Sequence, residues 1–246
     1  MTVHRPLPAF TLIESLLACA LVAVLVALLL PSIADVRHRS RRLVSASNLR
    51  SHATIFGSYV TDWRDTYPYF TSPNATASVV RNPSREIALV VPYFGAHFTW
   101  HVALADGYFA GDHTSKAFRP PGREDVRPGY TAYWYPCTFI AAPAFWRYKE
   151  REGPHQRVPT RTDQVLFPSA KALLVESDII FPDQVQFVRP RVLAATVDGA
   201  AQERPSTQLI GSWYISGDGP WHGAMHGTWW PTLHHTIGGV TGRDFR

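Results

Sequence analysis

One carboxylate stands where carboxylates are expensive: Glu14 is the only charge in the apolar run from Phe10 to Leu30. An ionised side chain at that depth calls for a partner or for escape to an interface, so Glu14 is the first candidate functional residue. The second cluster is the tail from Trp213 to Arg246, where Trp213, Tyr214, Trp221, Trp229 and Trp230 alternate with His222, His226, His234 and His235. His222 and His226 have a helical zinc spacing, but Pro220, Gly223, Gly227 and Pro231 oppose a helix, and neither Glu nor Cys is near. The aromatics read as core, with an exposed glycan- or protein-binding surface as the alternative. Asp178, Asp183 and Asp218 could ligate calcium, yet they lack the Asp-x-Asp-x-Asp-Gly pattern. No nucleophile elbow, phosphate loop, dinucleotide glycine pattern or His-Glu-x-x-His occurs. A hydrolase built on Glu176 or Asp198 with a tail histidine is conceivable, but both acids are explained by strand ends. The expectation is therefore no catalytic residue, no metal and no cofactor.

The chain has 246 residues, 46% hydrophobic and 17% charged, a globular balance. Its formal charge of +5 comes mainly from arginine. Arg37, Arg39, Arg41 and Arg42 directly follow the apolar run, where lipid headgroups would lie, and the remaining cations are scattered among acids. That distribution favours inner-membrane lipids over nucleic acid as the partner. The two cysteines, Cys19 in the apolar run and Cys137 far from it, are not expected to pair, and Cys19 reads as a small core-type residue.

Phe10 to Leu30 is long enough to cross a hydrocarbon core as a helix, and no small-residue cleavage site of the secretory kind follows it. Beyond Pro31 an amphipathic pattern takes over, with Ile33, Val36, Leu43, Leu49, Ala53, Phe56, Val60 and Trp63 at three-to-four-residue spacing. Pro31 should kink this helix rather than end it, and the stop is expected near Asp62, before Tyr67-Pro68. Strands are expected in Ile87 to Phe94, Tyr130 to Phe145, Val165 to Ser177, Val185 to Val197 and Thr207 to Ser216, and a helix in Trp100 to Tyr108. Asp198-Gly199 should end a strand in a turn. The fold expected is α+β, with a long N-terminal helix packed on an antiparallel sheet.

Phe10-Thr11-Leu12-Ile13-Glu14, after a short polar leader and before a long apolar helix containing Pro31, resembles the start of mature type IV pilins and type II secretion pseudopilins. A second stretch, Phe167 to Glu176 followed by Val192 to Gly199, is similar to the prepilin-like proteins of planctomycete-type bacteria, although Val188 stands where those have His. The resemblance implies that a prepilin peptidase cuts between Ala9 and Phe10 and methylates the new Phe10 amine; Ala9 occupies a position usually held by Gly. It implies assembly with other pilin or pseudopilin subunits through Glu14 and the apolar helix, and a pilin-like fold.

The domain plan is then leader 1–9, membrane-spanning half-helix 10–30, amphipathic half-helix 31–63 and exported domain 64–246. The flanking charge rule taken alone points the other way. Arg5 precedes the span and four arginines follow it, which would put the domain in the cytoplasm. The resemblance implies an N-terminus inside and a domain in the periplasm or on the cell surface. The alternative function is a tethered exported module that binds a glycan or protein and uses the segment only as an anchor.

Overall fold

The computed structural model describes residues 11–69, 78–82, 87–91, 93–123, 129–147, 149–150, 152–156, 158–176, 191–210 and 233–246. Helix α1 runs Leu12–Asp62 without interruption through Pro31, and α2 runs Trp100–Tyr108. The strands are β1 Ser78–Asn82, β2 Ile87–Val91, β3 Tyr133–Trp134, β4 Ala172–Glu176, β5 Arg191–Thr196 and β6 Ala201–Pro205. The chain divides into two compact units, Met1–Arg42 and Leu43–Arg246. The layout is α+β: a long N-terminal helix, apolar in its first half, and an antiparallel four-stranded sheet.

The four-stranded sheet has the order β3-β4-β5-β6, every neighbour antiparallel, and β1 pairs with β2 in a separate hairpin. A bulge interrupts the β4–β5 register between Ala172 and Leu174. Every residue of β4 is buried, and so are five of the six in β5, which is why both read from the sequence as unbroken apolar runs rather than as alternation. The turn between β5 and β6 carries Gly199 at φ +85°, a conformation that favours glycine. Asp198 Oδ1 accepts from Thr196 Oγ1 at 2.6 Å and from the Ala200 amide at 3.2 Å, so this acid builds the turn.

In the unit Leu43–Arg246 the second half of α1 supplies the seam of the core. Ser45, Leu49, His52, Ala53, Phe56 and Val60 are buried at helical spacing. Burial begins at Ser45, later than the apolar periodicity implied: Ile33, Val36 and Leu43 are exposed by 44%, 64% and 72%, and so is Trp63 by 58%. Phe56 lies 5.0 Å in ring centroid distance from both Trp100 and Tyr135, and Trp100 Nε1 donates to the Tyr133 carbonyl at 2.8 Å. Tyr133, Tyr135, Phe139, Phe145 and Trp146 complete an aromatic core. Rings carry large apolar area per residue, so a unit rich in loops can still hide enough surface.

Four expected strands differ. Ile87 to Phe94 is a strand only to Val91, and Tyr93–Phe98 is a 3-10 helix. Tyr130 to Phe145 gives only the two residues of β3, followed by short 3-10 turns at Cys137–Phe139 and Pro143–Trp146. Pro136 and Pro143 have no amide proton for a ladder, and the segment turns instead. Val165 to Ser177 becomes a strand only from Ala172, after a turn opened by Pro168. The described part of Thr207 to Ser216 is a 3-10 turn, Ser206–Gln208, and an isolated bridge from Leu209 to Phe245.

Candidate functional site

The first candidate is the N-terminal segment. Thr11 and Glu14 form a reciprocal cap on α1: Glu14 Oε2 accepts from the Thr11 amide at 2.8 Å and from Thr11 Oγ1 at 2.7 Å, and Thr11 Oγ1 accepts from the Glu14 amide at 3.3 Å. Thr-x-x-Glu is a helix-start signature, so the carboxylate has a local structural task whatever else it does. The Thr-x-x-Glu spacing is legible in the sequence. Ala9 and Phe10 lie outside the described residues.

From Leu12 to Leu30 the large side chains are exposed, among them Leu12 at 77%, Leu16 at 62%, Leu21 at 58% and Leu28 at 68%. A helix this apolar, near the N-terminus and with none of its most apolar window covered by protein, is long enough to cross a membrane. Cys19 is exposed here, a correction to its reading as a core-type residue; a small side chain on an otherwise apolar helix surface has no protein around it to join. Pro31 lies inside the helix and cannot donate to the Ala27 carbonyl. Arg37, Arg39 and Arg41 are exposed and Arg42 is half-buried, all on the same helix.

The described part of the histidine tail lies in the core. His234 is 1% exposed and His235 is 2% exposed. The His234 ring lies 5.4 Å from His97 and 5.1 Å from Trp134, and His235 lies 5.0 Å from Trp146. Burial, then the charges of His97, His235 and Lys171, hold the His234 imidazole well below its usual range, so it is neutral. His222, His226, Trp213, Tyr214, Trp221, Trp229, Trp230, Asp178, Asp183, Asp218 and Val188 lie outside the described residues. Among the described residues no group of His, Cys, Asp and Glu is arranged to hold a metal ion.

Two buried polar clusters were not foreseen. Lys171, fully buried, meets Asp244 Oδ2 at 3.0 Å and donates to Thr236 Oγ1 at 2.7 Å. Asp244 also accepts from the Ala172 amide at 2.8 Å and from the Thr236 hydroxyl. Burial pushes the Lys171 amine down and the Asp244 carboxyl up, and their mutual attraction opposes both shifts. The only sequence signal was a lysine, one of three in the chain, set before a run of apolar residues. In the second cluster Ser45 Oγ donates to Glu176 and lies 2.9 Å from the Tyr133 hydroxyl, which accepts from Asn48 Nδ2 at 3.3 Å. These contacts tie the buried half of α1 to β3 and β4, which gives Glu176 a structural task.

His52 of α1 and His101 of α2 are buried among rings. His52 stacks on Phe118 at 5.2 Å and its Nε2 lies 2.8 Å from the Ala117 carbonyl. Burial lowers the two imidazoles to about 4 and about 3, with His113, His52 and Arg119 adding to the shift of His101. Beside the same stretch of α1, Phe56, Gly57, Val60, Tyr67, Val165 and Leu173 line an apolar groove of about 290 Å³, at the small end of ligand-sized cavities.

Compared with protein-family models, with curated proteins and with solved structures, the chain matches none.

Proposed function

We propose that this chain is a membrane-anchored prepilin-like subunit that assembles through its N-terminal helix into a type IV pilus or type II secretion pseudopilus. The observation that carries the reading is α1 itself. One continuous helix, Leu12–Asp62, serves two solvents: its first half is apolar and exposed, and its second half carries the core of a folded unit. A plain signal anchor needs no such continuity, whereas a subunit that is to be drawn from a bilayer into a filament core carries its apolar span and the first part of its domain core on one helix. The start of the helix, at Leu12 behind the Thr11–Glu14 cap, falls just after the proposed cut between Ala9 and Phe10.

Within this reading a prepilin peptidase removes residues 1–9 and methylates Phe10. The new amine lies one turn from Glu14, whose carboxylate spends one oxygen on Thr11 and retains acceptor capacity for an incoming subunit. The domain lies in the periplasm or on the cell surface. The test is to purify the chain from membranes of cells with an active prepilin peptidase, shear their surface filaments, and record intact masses from both fractions. A mass beginning at methylated Phe10, present in the sheared fraction, is expected. A chain still starting at Met1 or Thr2 and absent from filaments would leave only the anchor, as the tethered binding module requires.

A further inference from the structure

α1 carries, immediately beyond its exposed apolar stretch, a block of arginines. We propose that Arg37, Arg39, Arg41 and Arg42 form a collar that binds the phosphates of anionic lipids in the leaflet through which α1 emerges; this rests on reading α1 as a membrane span.

Three observations carry it. The first is axial position. The exposed apolar surface continues past Leu30 to Ile33 and Val36. At about 1.5 Å per residue, Phe10 to Leu30 rises about 30 Å, the thickness of a hydrocarbon core. Arg37 then lies about 10 Å and Arg42 about 18 Å beyond Leu30, and the long arginine side chains reach the headgroup layer by extending back along the exposed apolar surface.

The second is azimuth. At about 100° per residue, and with Arg37 as zero, Arg41 stands near 40°, Arg42 near 140° and Arg39 near 200°. Arg39 is therefore nearly opposite Arg37. A duplex or a protein surface touches a helix from one side, whereas a headgroup layer surrounds it, and cations distributed around the circumference fit the surrounding medium.

The third is the charge balance. Asp35 is the one acid in α1 between Glu14 and Asp62. Among the described residues Arg37, Arg39 and Arg41 make no ion pair with it or with any other acid, so these charges are available to ligands. All four cations of the block are arginine, whose planar fork takes two phosphate oxygens at once.

The experiment uses the full chain reconstituted in phosphatidylcholine bilayers containing a minor fraction of phosphatidylglycerol. Spin-labelled forms of the two lipids report which one the protein immobilises. The anchor is checked first by alkaline carbonate extraction; release of the chain into the soluble fraction would remove the anchor reading, independently of any lipid result. For an embedded chain, roughly threefold or greater selection of phosphatidylglycerol is expected at low salt, declining as salt screens the charges. The Arg37→Gln, Arg39→Gln, Arg41→Gln triple variant should lose that selection while its folded unit melts as the wild type does. Equal selectivity in wild type and variant, or none in the wild type, overturns the collar. So does loss of selectivity on replacing chloride by inorganic phosphate at matched ionic strength, which would assign the arginines to free phosphate. Displacement of the labelled lipid by duplex DNA would overturn it in favour of nucleic acid.

Discussion

The two halves of α1 are built from similar side chains and live under opposite conditions. Leu16, Leu21 and Leu28 are more than half exposed, while Leu49 and Phe56 are fully buried among rings. The first half makes no core of its own and is apolar enough to cross a membrane; the second half brings its own surrounding in the form of α2, β3 and the aromatic residues that follow. Helical periodicity alone does not distinguish them, because both are helical. What distinguishes them is that apolar residues surround the first half and form a stripe on the second.

The contrast can be broken by substitution, most strongly in the core. Phe56→Ala should cost about 3–5 kcal/mol in the folded unit, read as a large fall in thermal midpoint in detergent, whereas Leu25→Ala in the first half should leave that midpoint unchanged. Lys171→Met should cost about as much, about 3–5 kcal/mol, because it strands the buried Asp244 carboxylate. Combined with Asp244→Asn the loss should be much smaller than the two single losses added, as a double-mutant cycle by denaturant unfolding would show.

Acid provides a graded effect, smaller per residue and confined to the folded unit. His52 and His101 are held neutral in the fold at pKa values of about 4 and about 3, against about 6.5 for a solvated imidazole. The unfolded chain therefore binds protons first as pH falls below about 6.5, and stability declines from there down to the folded values. On the order of 3 kcal/mol per histidine is lost by pH 4 and below, measured as a falling unfolding free energy between pH 7 and 4. His52→Gln should flatten the upper part of that slope.

Gly57 sharpens the comparison from the stabilising side. It sits within α1 facing the groove, and a Cβ there would meet nothing within 4 Å. Gly57→Ala should therefore raise stability by about 0.5–1 kcal/mol through helix propensity alone. The smallest effect on melting belongs to Glu14→Gln, which keeps an acceptor for the Thr11 cap and should not shift the midpoint of the folded unit at all. Its readout is incorporation: under the proposed function the variant should be depleted from sheared filaments while remaining in the membrane fraction.

How much of this was legible varies with the range of the interaction that decides it. The end of α1 at Asp62, the bounds of α2 and the Asp198-Gly199 turn follow from local spacing and turn chemistry, and the sequence displays all three. The edge strand β6 was missed because Ala201–Pro205 carries Gln202, Glu203 and Arg204, a polar segment that pairs only because β5 lies beside it. The hairpin partner β1 was missed for want of a turn signal read before Ile87. The Lys171–Asp244–Thr236 cluster was beyond reach, since nothing local to Lys171 announces a carboxylate from far along the chain. At the candidate site, Glu14 and the arginines announced themselves by being charged beside an apolar run, while the Thr11 half of the cap went unnoticed beside them.

The pairing of Ala172 and Lys171 with Asp244 has a consequence in time. Ala172 and its acceptor are 72 residues apart. A ribosome working at about 5–20 residues per second delivers Asp244 several seconds after β4 has been made. Throughout that interval Lys171 has no carboxylate to enter the interior with, and β4 cannot be sealed on that side at low cost. A chain that emerges amino end first therefore keeps this part of the sheet open to chaperones until late in synthesis. The apolar first half of α1, by contrast, is long enough to cross a membrane and pairs with nothing that comes after it among the described residues.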